Sequence, residues 1–311
     1  MKPQTSPQKT REYTDHPIID GTRWQVYNHR PDDIIISTSY KAGTTWMQTI
    51  VANLLYQDGN FPMPVTAMAP WLDMALLPLE EMAAGLEAQT DRRFIKTHLP
   101  LDGIPYFEGN RYIVVGRDAR DVFVSLWNHH RNYSDMIRAG FTEFEQQTGR
   151  EFPVDFPDIQ TFWKTWIATG WYDWESDGFP YWSHFHHIKT WWDYRHLSNI
   201  HFVHFSDLLS DPAKQIRQIA KHLGISIDEE KFPNLLDRIT FKTMKKNFDS
   251  IMPEAASLWK GGGNTFMNKG TNGRWRDVLS QDDLDTYKKV RDKQLSADCA
   301  HWLENGGPVS G

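Results

Sequence analysis

The chain has 311 residues, of which 40% are hydrophobic and 24% charged, and its formal net charge is −6. This length favours one α/β domain with a continuous core, and the negative charge argues against a nucleic-acid-binding surface, so a local group of basic residues and backbone donors must hold any anionic ligand. A single cysteine, Cys299, excludes an internal disulfide framework and is typical of a reducing compartment.

The N-terminal segment, residues 1–15, is mostly polar and predicts a disordered lead to a domain over residues 16–311. The lead has no apolar stretch of the kind that a secretory signal carries, and no later run of apolar residues is long enough for a membrane span. We therefore expect a cytoplasmic protein with no membrane partner.

A short loop follows the first predicted strand, Ile34–Ser37, and leads into a predicted helix over Thr45–Leu55. Backbone N–H groups and the positive end of the helix dipole point into such a loop, which favours phosphate binding, and Lys41 adds a positive charge. In the common nucleoside-triphosphate loop the lysine follows the second glycine, whereas Lys41 precedes Gly43. The segment predicts a phosphate-binding loop of another kind; an ordinary turn with a chance lysine is the alternative.

Further strands and helices alternate along the chain. The predicted strands are Phe94–Thr97, Tyr112–Val115 and Ile200–Phe205, and the predicted helices are Ala119–Asn128, Tyr181–Arg195 and Pro212–Leu223. This alternation predicts a mostly parallel central β-sheet flanked by helices, with the phosphate-binding loop after the first core strand. Two less regular stretches, 132–180 and 247–271, are predicted to pass over the active site, the first to bind the acceptor and the second as a mobile lid.

Lys96 and His98 are two residues apart at the end of a predicted strand, so their side chains face the same side. A histidine can accept a hydroxyl proton near neutral pH, and a lysine beside it can stabilise negative charge. The alternative is a structural histidine that only closes the strand end.

Arg117 ends the next predicted strand, and Ser125 lies eight residues later on a predicted helix. A planar guanidinium can bind a phosphate through two hydrogen bonds, and the serine hydroxyl adds a donor. The pair therefore predicts a second phosphate site, with a surface ion pair between Arg117 and Asp118 or Asp121 as the alternative.

Four motifs occur in this order: Ser39-Tyr40-Lys41-Ala42-Gly43-Thr44-Thr45-Trp46, Lys96-Thr97-His98-Leu99-Pro100, Arg117 with Ser125, and Lys269-Gly270-Thr271-Asn272-Gly273-Arg274-Trp275. Together they resemble the motifs of sulfotransferases that use 3′-phosphoadenosine 5′-phosphosulfate (PAPS). The resemblance implies an α/β fold, PAPS as the sulfuryl donor, 3′,5′-adenosine bisphosphate (PAP) as the product, and no metal. It also implies direct in-line transfer to a hydroxyl of a small molecule, with His98 as the general base and Lys41 and Lys96 as catalytic cations.

The resemblance further implies which residues contact the nucleotide: Lys41, Ala42, Gly43, Thr44, Thr45 and Trp46 in the loop, Arg117, Ser125, Lys269 and Gly270 at the 3′-phosphate, and Thr240 and Phe241 near the base. The chain departs from the family pattern at Asn268, where the family has an arginine, at Arg274, where it has an aspartate, and at Phe205, where it has a tyrosine. Residues 276–285 do not show the family's dimerisation element, so the oligomeric state stays open.

The acceptor class has weaker support in the sequence. Residues 132–195 are rich in aromatic side chains, which favours a phenol, while steroid-like alcohols and amines stay open. A nucleotide-dependent small-molecule kinase and a nucleotide-binding protein without catalysis are the competing functions. The histidines from His184 to His187 lack the spacing of metal ligands. His129 and His130 either line the pocket or cap the C-terminal end of the helix that carries Ser125, and we favour the cap.

Overall fold

The computed structural model describes residues 6–309. Its strands are β1 (Ile34–Thr38), β2 (Phe94–Thr97), β3 (Arg111–Gly116) and β4 (Ile200–His204). Its helices are α1 (Thr44–Leu55), α2 (Val65–Met68), α3 (Leu79–Ala88), α4 (Ala119–His130), α5 (Asp135–Thr148), α6 (Ile159–Ala168), α7 (His184–Trp192), α8 (Phe205–Ser210), α9 (Pro212–Leu223), α10 (Phe232–Arg238), α11 (Phe241–Lys246), α12 (Phe248–Ile251), α13 (Ala255–Leu258), α14 (Gly262–Phe266), α15 (Gln281–Gln294) and α16 (Ala297–Asn305). Short 3₁₀ helices cover Gly21–Val26, Leu101–Gly103 and Arg274–Asp277. None of the helices within residues 6–309 has the length and apolar character that a membrane crossing needs.

The strands form one parallel sheet in the order β2–β1–β3–β4 within the described part of the chain. Ile36 of β1 lies between Lys96 of β2 and Ile113 of β3. Because all the strands run in the same direction, their carboxyl ends meet at one edge of the sheet, at Thr38, Thr97, Gly116 and His204. The structure confirms the predicted α/β fold, with a parallel central sheet flanked by helices.

Two hydrophobic clusters cover opposite faces of the sheet. Alternation along β3 places Tyr112 and Val114 in one cluster, and Ile113 and Val115 in the other. The first cluster includes aromatic side chains of α4, α6 and α7, and the second includes the apolar faces of α1 and α9. Both faces of the sheet are buried, which explains the continuous apolar sequence of β3.

Local capping shifts the ends of two predicted elements. Helix α7 begins at His184 rather than Tyr181, because the Ser183 side chain caps it by accepting a hydrogen bond from the His186 N–H. Strand β4 ends at His204, whose side chain caps α8 by accepting from the Ser206 N–H. Phe205, predicted as the last residue of the strand, therefore begins a helix.

The prediction of an irregular excursion over residues 132–180 is wrong in its local structure, because α5 and α6 lie within it. Ser134 caps the start of α5, and Gly149 ends that helix with a φ of 72°. Asp158 caps α6 in the same way as Ser134 caps α5. Adjacent aromatic residues on α6, Phe162 and Trp163, are both buried, which widens the apolar face and obscures the helical period in the sequence.

The predicted disordered lead is wrong for residues 6–15, while residues 1–5 lie outside the described residues. The segment 6–15 forms no helix or strand, yet the Tyr13 side chain is fully buried and its hydroxyl donates to the Asp102 carboxylate at 2.9 Å. The N–H groups of Thr10 and Arg11 both donate to the Asp102 carbonyl. An aromatic anchor and these hydrogen bonds hold the segment on the domain.

Candidate active site

A cavity of about 910 Å³ opens where residues that follow all four strands come together. Its cationic side chains outnumber the carboxylates of Glu81 and Glu254, and they are Lys41, Lys96, Arg117, Lys269 and Arg274. A chain with a negative net charge thus concentrates positive charge at one site. This distribution suits an anionic ligand.

The loop between β1 and α1 has the backbone of an anion-binding turn. Lys41 and Gly43 have φ values of 63° and 116°, and left-handed residues in such a turn direct successive N–H groups toward one side. Gly43 directly precedes α1, and a Cβ there would lie 3.0 Å from the Phe205 ring, so glycine is required. Ala42, predicted as a nucleotide contact, is fully buried and does not line the cavity, whereas Lys41, Gly43, Thr44, Thr45 and Trp46 do.

His98 lines the cavity in one defined tautomer. Its Nδ1 lies 2.8 Å from the Thr38 carbonyl oxygen, and because a carbonyl only accepts, Nδ1 carries the proton and Nε2 has the free lone pair. Burial, followed by the nearby charge of Lys96, holds the pKa of His98 well below its usual range. His98 is therefore neutral at pH 7 and can accept a proton.

Lys96 and His98 share a supporting carboxylate. Lys96 Nζ lies 4.2 Å from the centre of the Trp71 ring. Burial lowers the pKa of Lys96 to about 8, although the negative charge of Asp73 acts to raise it. Asp73 accepts from Trp71 Nε1 at 2.8 Å and from the His98 N–H at 3.3 Å. Both predicted residues line the cavity, as strand alternation requires.

Lys41 contacts a histidine that the sequence analysis assigned to another role. Lys41 Nζ lies 3.2 Å from His129 Nδ1 and 4.1 Å from the centre of the Phe266 ring. His129 Nε2 lies 2.7 Å from Tyr40 Oη. The favoured role of His129 as a helix cap is therefore wrong, and the alternative is correct, because its ring lines the cavity and contacts the phosphate-binding loop.

Arg117 is fixed by the segment that follows α14. Its nitrogens donate to the Lys41 carbonyl at 3.2 Å, the Thr271 carbonyl at 3.1 Å and the Asn272 side chain at 3.0 Å. Burial lowers the pKa of Arg117 to about 10. Burial, followed by the charges of Lys96 and Arg117, lowers the pKa of Lys41 to about 7.

The surface ion pair considered for Arg117 is not formed. Asp118 pairs with Arg120 at 2.6 Å, and Asp121 accepts from the Gly273 N–H at 2.8 Å. Arg117 and Ser125 both line the cavity instead, which is the arrangement that a phosphate site needs.

The segment after α14 brings a further arginine to the cavity. The Arg274 guanidinium lies 3.2 Å from the Asn268 side chain, whose amide is oriented so that its oxygen accepts. Gly270 also lines the cavity with a φ of 65°, and a Cβ there would lie 2.3 Å from the Phe241 ring. The position where the family pattern has an arginine thus holds an amide that orients Arg274.

Thr240 does not reach the cavity, although the sequence analysis predicted it as a nucleotide contact. It is exposed, and its hydroxyl caps α11 by accepting from the Thr243 N–H at 3.2 Å. Phe241 and Trp46 do line the cavity, and Trp46 Nε1 donates to the Ile239 carbonyl at 3.0 Å.

Two histidines of helix α7 form hydrogen bonds with residues at the ends of β1 and β3, next to the phosphate-binding loop. His184 Nε2 donates to the Arg117 carbonyl at 3.0 Å, and its Nδ1 accepts from Ser39 Oγ at 2.5 Å. His187 Nε2 lies 2.9 Å from Ser37 Oγ. These histidines therefore join α7 to the ends of β1 and β3.

Two residues of the cavity, His129 and Arg274, were not predicted as site residues, although lining the pocket was the alternative for His129. His129 follows Ser125 by four residues, so one helical turn places both on the same face of α4; this spacing was a usable signal. Arg274 had no such local signal, because its position depends on how the loop folds against Asn268.

A family described as "Sulfotransferase domain" matches residues 31–298, which is most of the chain. The chain belongs to the sulfotransferase family. Among curated relatives of this sulfotransferase, a glycolipid sulfotransferase of Mycobacterium bovis is 28% identical over 307 residues, with 93% of each chain covered. Sulfotransferase 1A1 of Rattus norvegicus is 28% identical, with 85% of this chain and 82% of that protein covered.

Solved structures with the same fold include other proteins complexed with PAP. Mouse sulfotransferase SULT7A1 in complex with PAP has a TM-score of 0.68 at 18% identity, over 91% of this sulfotransferase and 90% of that chain. Retinol dehydratase in complex with androsterone and inactive cofactor PAP has a TM-score of 0.66 at 24% identity, over 89% of this chain and 84% of that chain. These similarities extend the sulfotransferase fold across nearly the whole chain.

Proposed function

We propose that this sulfotransferase transfers a sulfuryl group from PAPS to a hydroxyl group of a small molecule. The observation that carries the proposal is the presence, in one cavity, of a neutral His98 with a free Nε2 lone pair and of Lys41 and Lys96. The PAP complexes of proteins with the same fold support the choice of donor.

The residues at the loop end of the cavity fit a donor with several anionic groups. Backbone N–H groups of the β1–α1 loop and Lys41 would hold the 5′ side, and Arg117 with Arg274 would hold the 3′-phosphate. The rings of Trp46 and Phe205, whose centres are 5.3 Å apart, offer an apolar surface to adenine. When bound, PAPS supplies a sulfuryl group attached to a phosphate leaving group.

His98 is the proposed general base. Its Nε2 accepts the proton of the acceptor hydroxyl while the hydroxyl oxygen forms its bond to sulfur. Lys41 stabilises the phosphate oxygen that keeps the electron pair of the broken S–O bond, and Lys96 stabilises the charge on the transferring group. The proton, the new bond and the leaving electron pair thus each have a side chain beside them.

The aromatic residues between 132 and 195 that suggested a phenol do not line the cavity, whose aromatic rings come from other segments and include Tyr40, Trp71 and Trp259. The large aromatic side chains Trp163, Trp166 and Trp191 are at most 1% exposed and belong to the core. The residues between 132 and 195 that line the cavity are Met136, Ile137 and Gly140. The aromatic richness that favoured a phenol therefore reflects core packing.

A group of aliphatic side chains in the lining favours an alcohol with an aliphatic body. Met74, Leu76, Leu77 and Met82 line the cavity from the segment that leads into and forms α3, and methionine adapts to varied apolar shapes. Leu76, Leu77 and Met136 are 42%, 48% and 57% exposed, so the apolar lining continues to the surface. We therefore place a lipid-linked alcohol first and a phenol second, and the glycolipid sulfotransferase among the relatives supports this order.

Calorimetric titration with PAP and, separately, with ATP tests the donor without knowledge of the acceptor. We expect micromolar or tighter binding of PAP and much weaker binding of ATP, because Arg117 and Arg274 would hold a 3′-phosphate that ATP lacks. Preference for ATP would favour the kinase alternative and contradict the proposal.

Turnover of radiolabelled PAPS with octyl glucoside and with 4-nitrophenol then tests the acceptor class. We expect higher kcat/KM for octyl glucoside, and Leu77→Asp should remove this preference while leaving PAP affinity unchanged. A higher kcat/KM for 4-nitrophenol would restore the phenol hypothesis, and PAP binding without turnover on any alcohol, phenol or amine would indicate a catalytically silent protein.

A cytoplasmic location is also part of the proposal, and fractionation of cells that express the protein tests it.

A further inference from the structure

His129 is a buried histidine that contacts the phosphate-binding loop. It is in the last turn of α4 and is 2% exposed. Its two ring nitrogens contact two residues of the phosphate-binding loop, Lys41 through Nδ1 at 3.2 Å and Tyr40 through Nε2 at 2.7 Å. The His129 ring therefore connects α4 to the phosphate-binding loop at Lys41, the charged residue of that loop.

The two contacts define how His129 is protonated. An ammonium group only donates, so Nδ1 accepts from Lys41 Nζ, and the ring proton lies on Nε2, which donates to Tyr40 Oη. Burial, followed by the charge of Lys41, holds the pKa of His129 well below its usual range. His129 is thus neutral throughout the neutral and alkaline range, and its Nδ1 accepts from Nζ while Lys41 is protonated, which holds up to the Lys41 pKa of about 7.

A neutral acceptor has a specific advantage beside Lys41. A carboxylate in the same place would hold the ammonium group but would neutralise the charge that an anionic ligand needs. An imidazole fixes the direction of Nζ and does not neutralise the positive charge that Lys41 carries while it is protonated. The opposite side of the ammonium group faces the Phe266 ring, which is also uncharged.

We propose that His129 is a positioning residue that holds the Lys41 ammonium group in the cavity for the anionic donor. The catalytic use of this ammonium group rests on the proposed function, whereas the contact itself does not. The charged and titratable groups that face Lys41 or His129 include Lys96, Arg117, His98 and His130, together with the phenols of Tyr40 and Tyr133. Of the side chains beside it, His129 is the one that accepts a hydrogen bond from Nζ in the described structure.

A pair of amide variants separates the two contacts of His129. The asparagine amide in His129→Asn lies near the position of Nδ1 and keeps an acceptor for Lys41, whereas the glutamine amide in His129→Gln reaches the position of Nε2 and keeps the contact with Tyr40. His130→Gln is the matched control, because His130 is equally buried on the same helix but bonds Tyr181 Oη at 2.9 Å and does not line the cavity.

Two readouts report on the Lys41 contact. In the free protein, ¹⁵N NMR should show His129 with its proton on Nε2, and the Lys41 pKa should fall in His129→Gln because the ammonium form loses its acceptor. In turnover assays, His129→Gln should lose about 10- to 100-fold in kcat, the usual effect of one hydrogen bond to a charged group, and its activity should fall at a lower pH than that of the wild type. His129→Asn and His130→Gln should stay within a few-fold of wild type in both readouts.

Several outcomes would overturn the inference. A proton on Nδ1 of His129 would contradict the geometry directly. Equal losses in His129→Asn and His129→Gln, with an unchanged Lys41 pKa, would show a role in packing alone, and a His129→Gln variant with wild-type turnover would remove the positioning role. If the wild type fails to bind PAP, the proposed function fails, but the NMR experiment on the free protein still decides whether His129 holds Lys41.

Discussion

At the scale of single residues, the Thr38 carbonyl determines which nitrogen of His98 is available as a base. Because Nδ1 donates to this carbonyl at 2.8 Å, Nε2 keeps its lone pair, and the low pKa of His98 keeps the ring neutral. We expect His98→Ala to lower kcat by about 10²–10⁴-fold while PAP affinity stays within a few-fold, as measured by steady-state kinetics and calorimetry. Wild-type turnover in this variant would remove His98 from the mechanism.

A second residue-scale prediction concerns Arg274, which we propose as a cation for the 3′-phosphate. Arg274 lines the cavity and bonds Asn268, whereas Arg276 is exposed, does not line the cavity and lies over the Trp275 ring at 4.6 Å. We expect Arg274→Ala to weaken PAP binding at least about tenfold, since a charged hydrogen bond to phosphate is lost. The matched control, Arg276→Ala, should bind PAP normally; equal affinities of the two variants would exclude Arg274 from the site.

The sequence predicted those residues of the cavity that belong to short local motifs. Lys41 and Gly43 lie in one loop, and Lys96 and His98 are separated by one strand residue, so their relation follows from local backbone geometry. Arg274 could not be assigned in this way, because its role depends on a tertiary contact with Asn268. Thr240 shows the converse: a motif match indicated a ligand contact where the structure has a helix cap.

At the scale of elements, the parallel sheet could be predicted because strands alternate with helices and both faces must be buried. Helices α5 and α6 were missed despite their caps at Ser134 and Asp158. Buried aromatic residues occur in both helices and strands, so the many aromatic residues around α6 did not distinguish a helix from a strand. The segment 6–15 was misjudged for a related reason, since one buried residue, Tyr13, holds an otherwise polar stretch.

Gly270 gives an element-scale prediction about the segment that follows α14. Alanine there needs a left-handed backbone at φ 65° and would place its Cβ 2.3 Å from the Phe241 ring, so the segment or the ring must move. We expect Gly270→Ala to weaken PAP binding several-fold in calorimetry. Gly149→Ala is the control, because Gly149 has a similar φ of 72° but open space around it; a normal affinity of Gly270→Ala would show that the segment adapts without affecting the site.

At the scale of the whole molecule, the buried histidines determine how stability depends on pH. Within residues 6–309, burial lowers the pKa of seven histidines whose side chains are at most 3% exposed, namely His16, His98, His129, His130, His184, His187 and His204. Their stabilising contribution is complete above the unfolded-state pKa of about 6.5 and is lost as the pH falls toward the folded-state values. Glu175 and Asp177 act in the opposite sense, because burial raises their pKa values to about 8 and about 6.

Burial also raises the pKa values of Asp73, Asp121 and Asp193. The seven histidines outnumber these five carboxyl groups, so we expect the free energy of unfolding to fall steeply between pH 6.5 and pH 5. One such group changes the free energy of unfolding by about 1.4 kcal/mol per pH unit while only the unfolded chain binds the proton, and the measured slope should exceed this value. Urea unfolding at a series of pH values, followed by tryptophan fluorescence, measures the slope. A slope no steeper than that of a single group would show that the folded protein takes up protons at these histidines, and the same result would weaken the assignment of His98 and His129 as neutral rings.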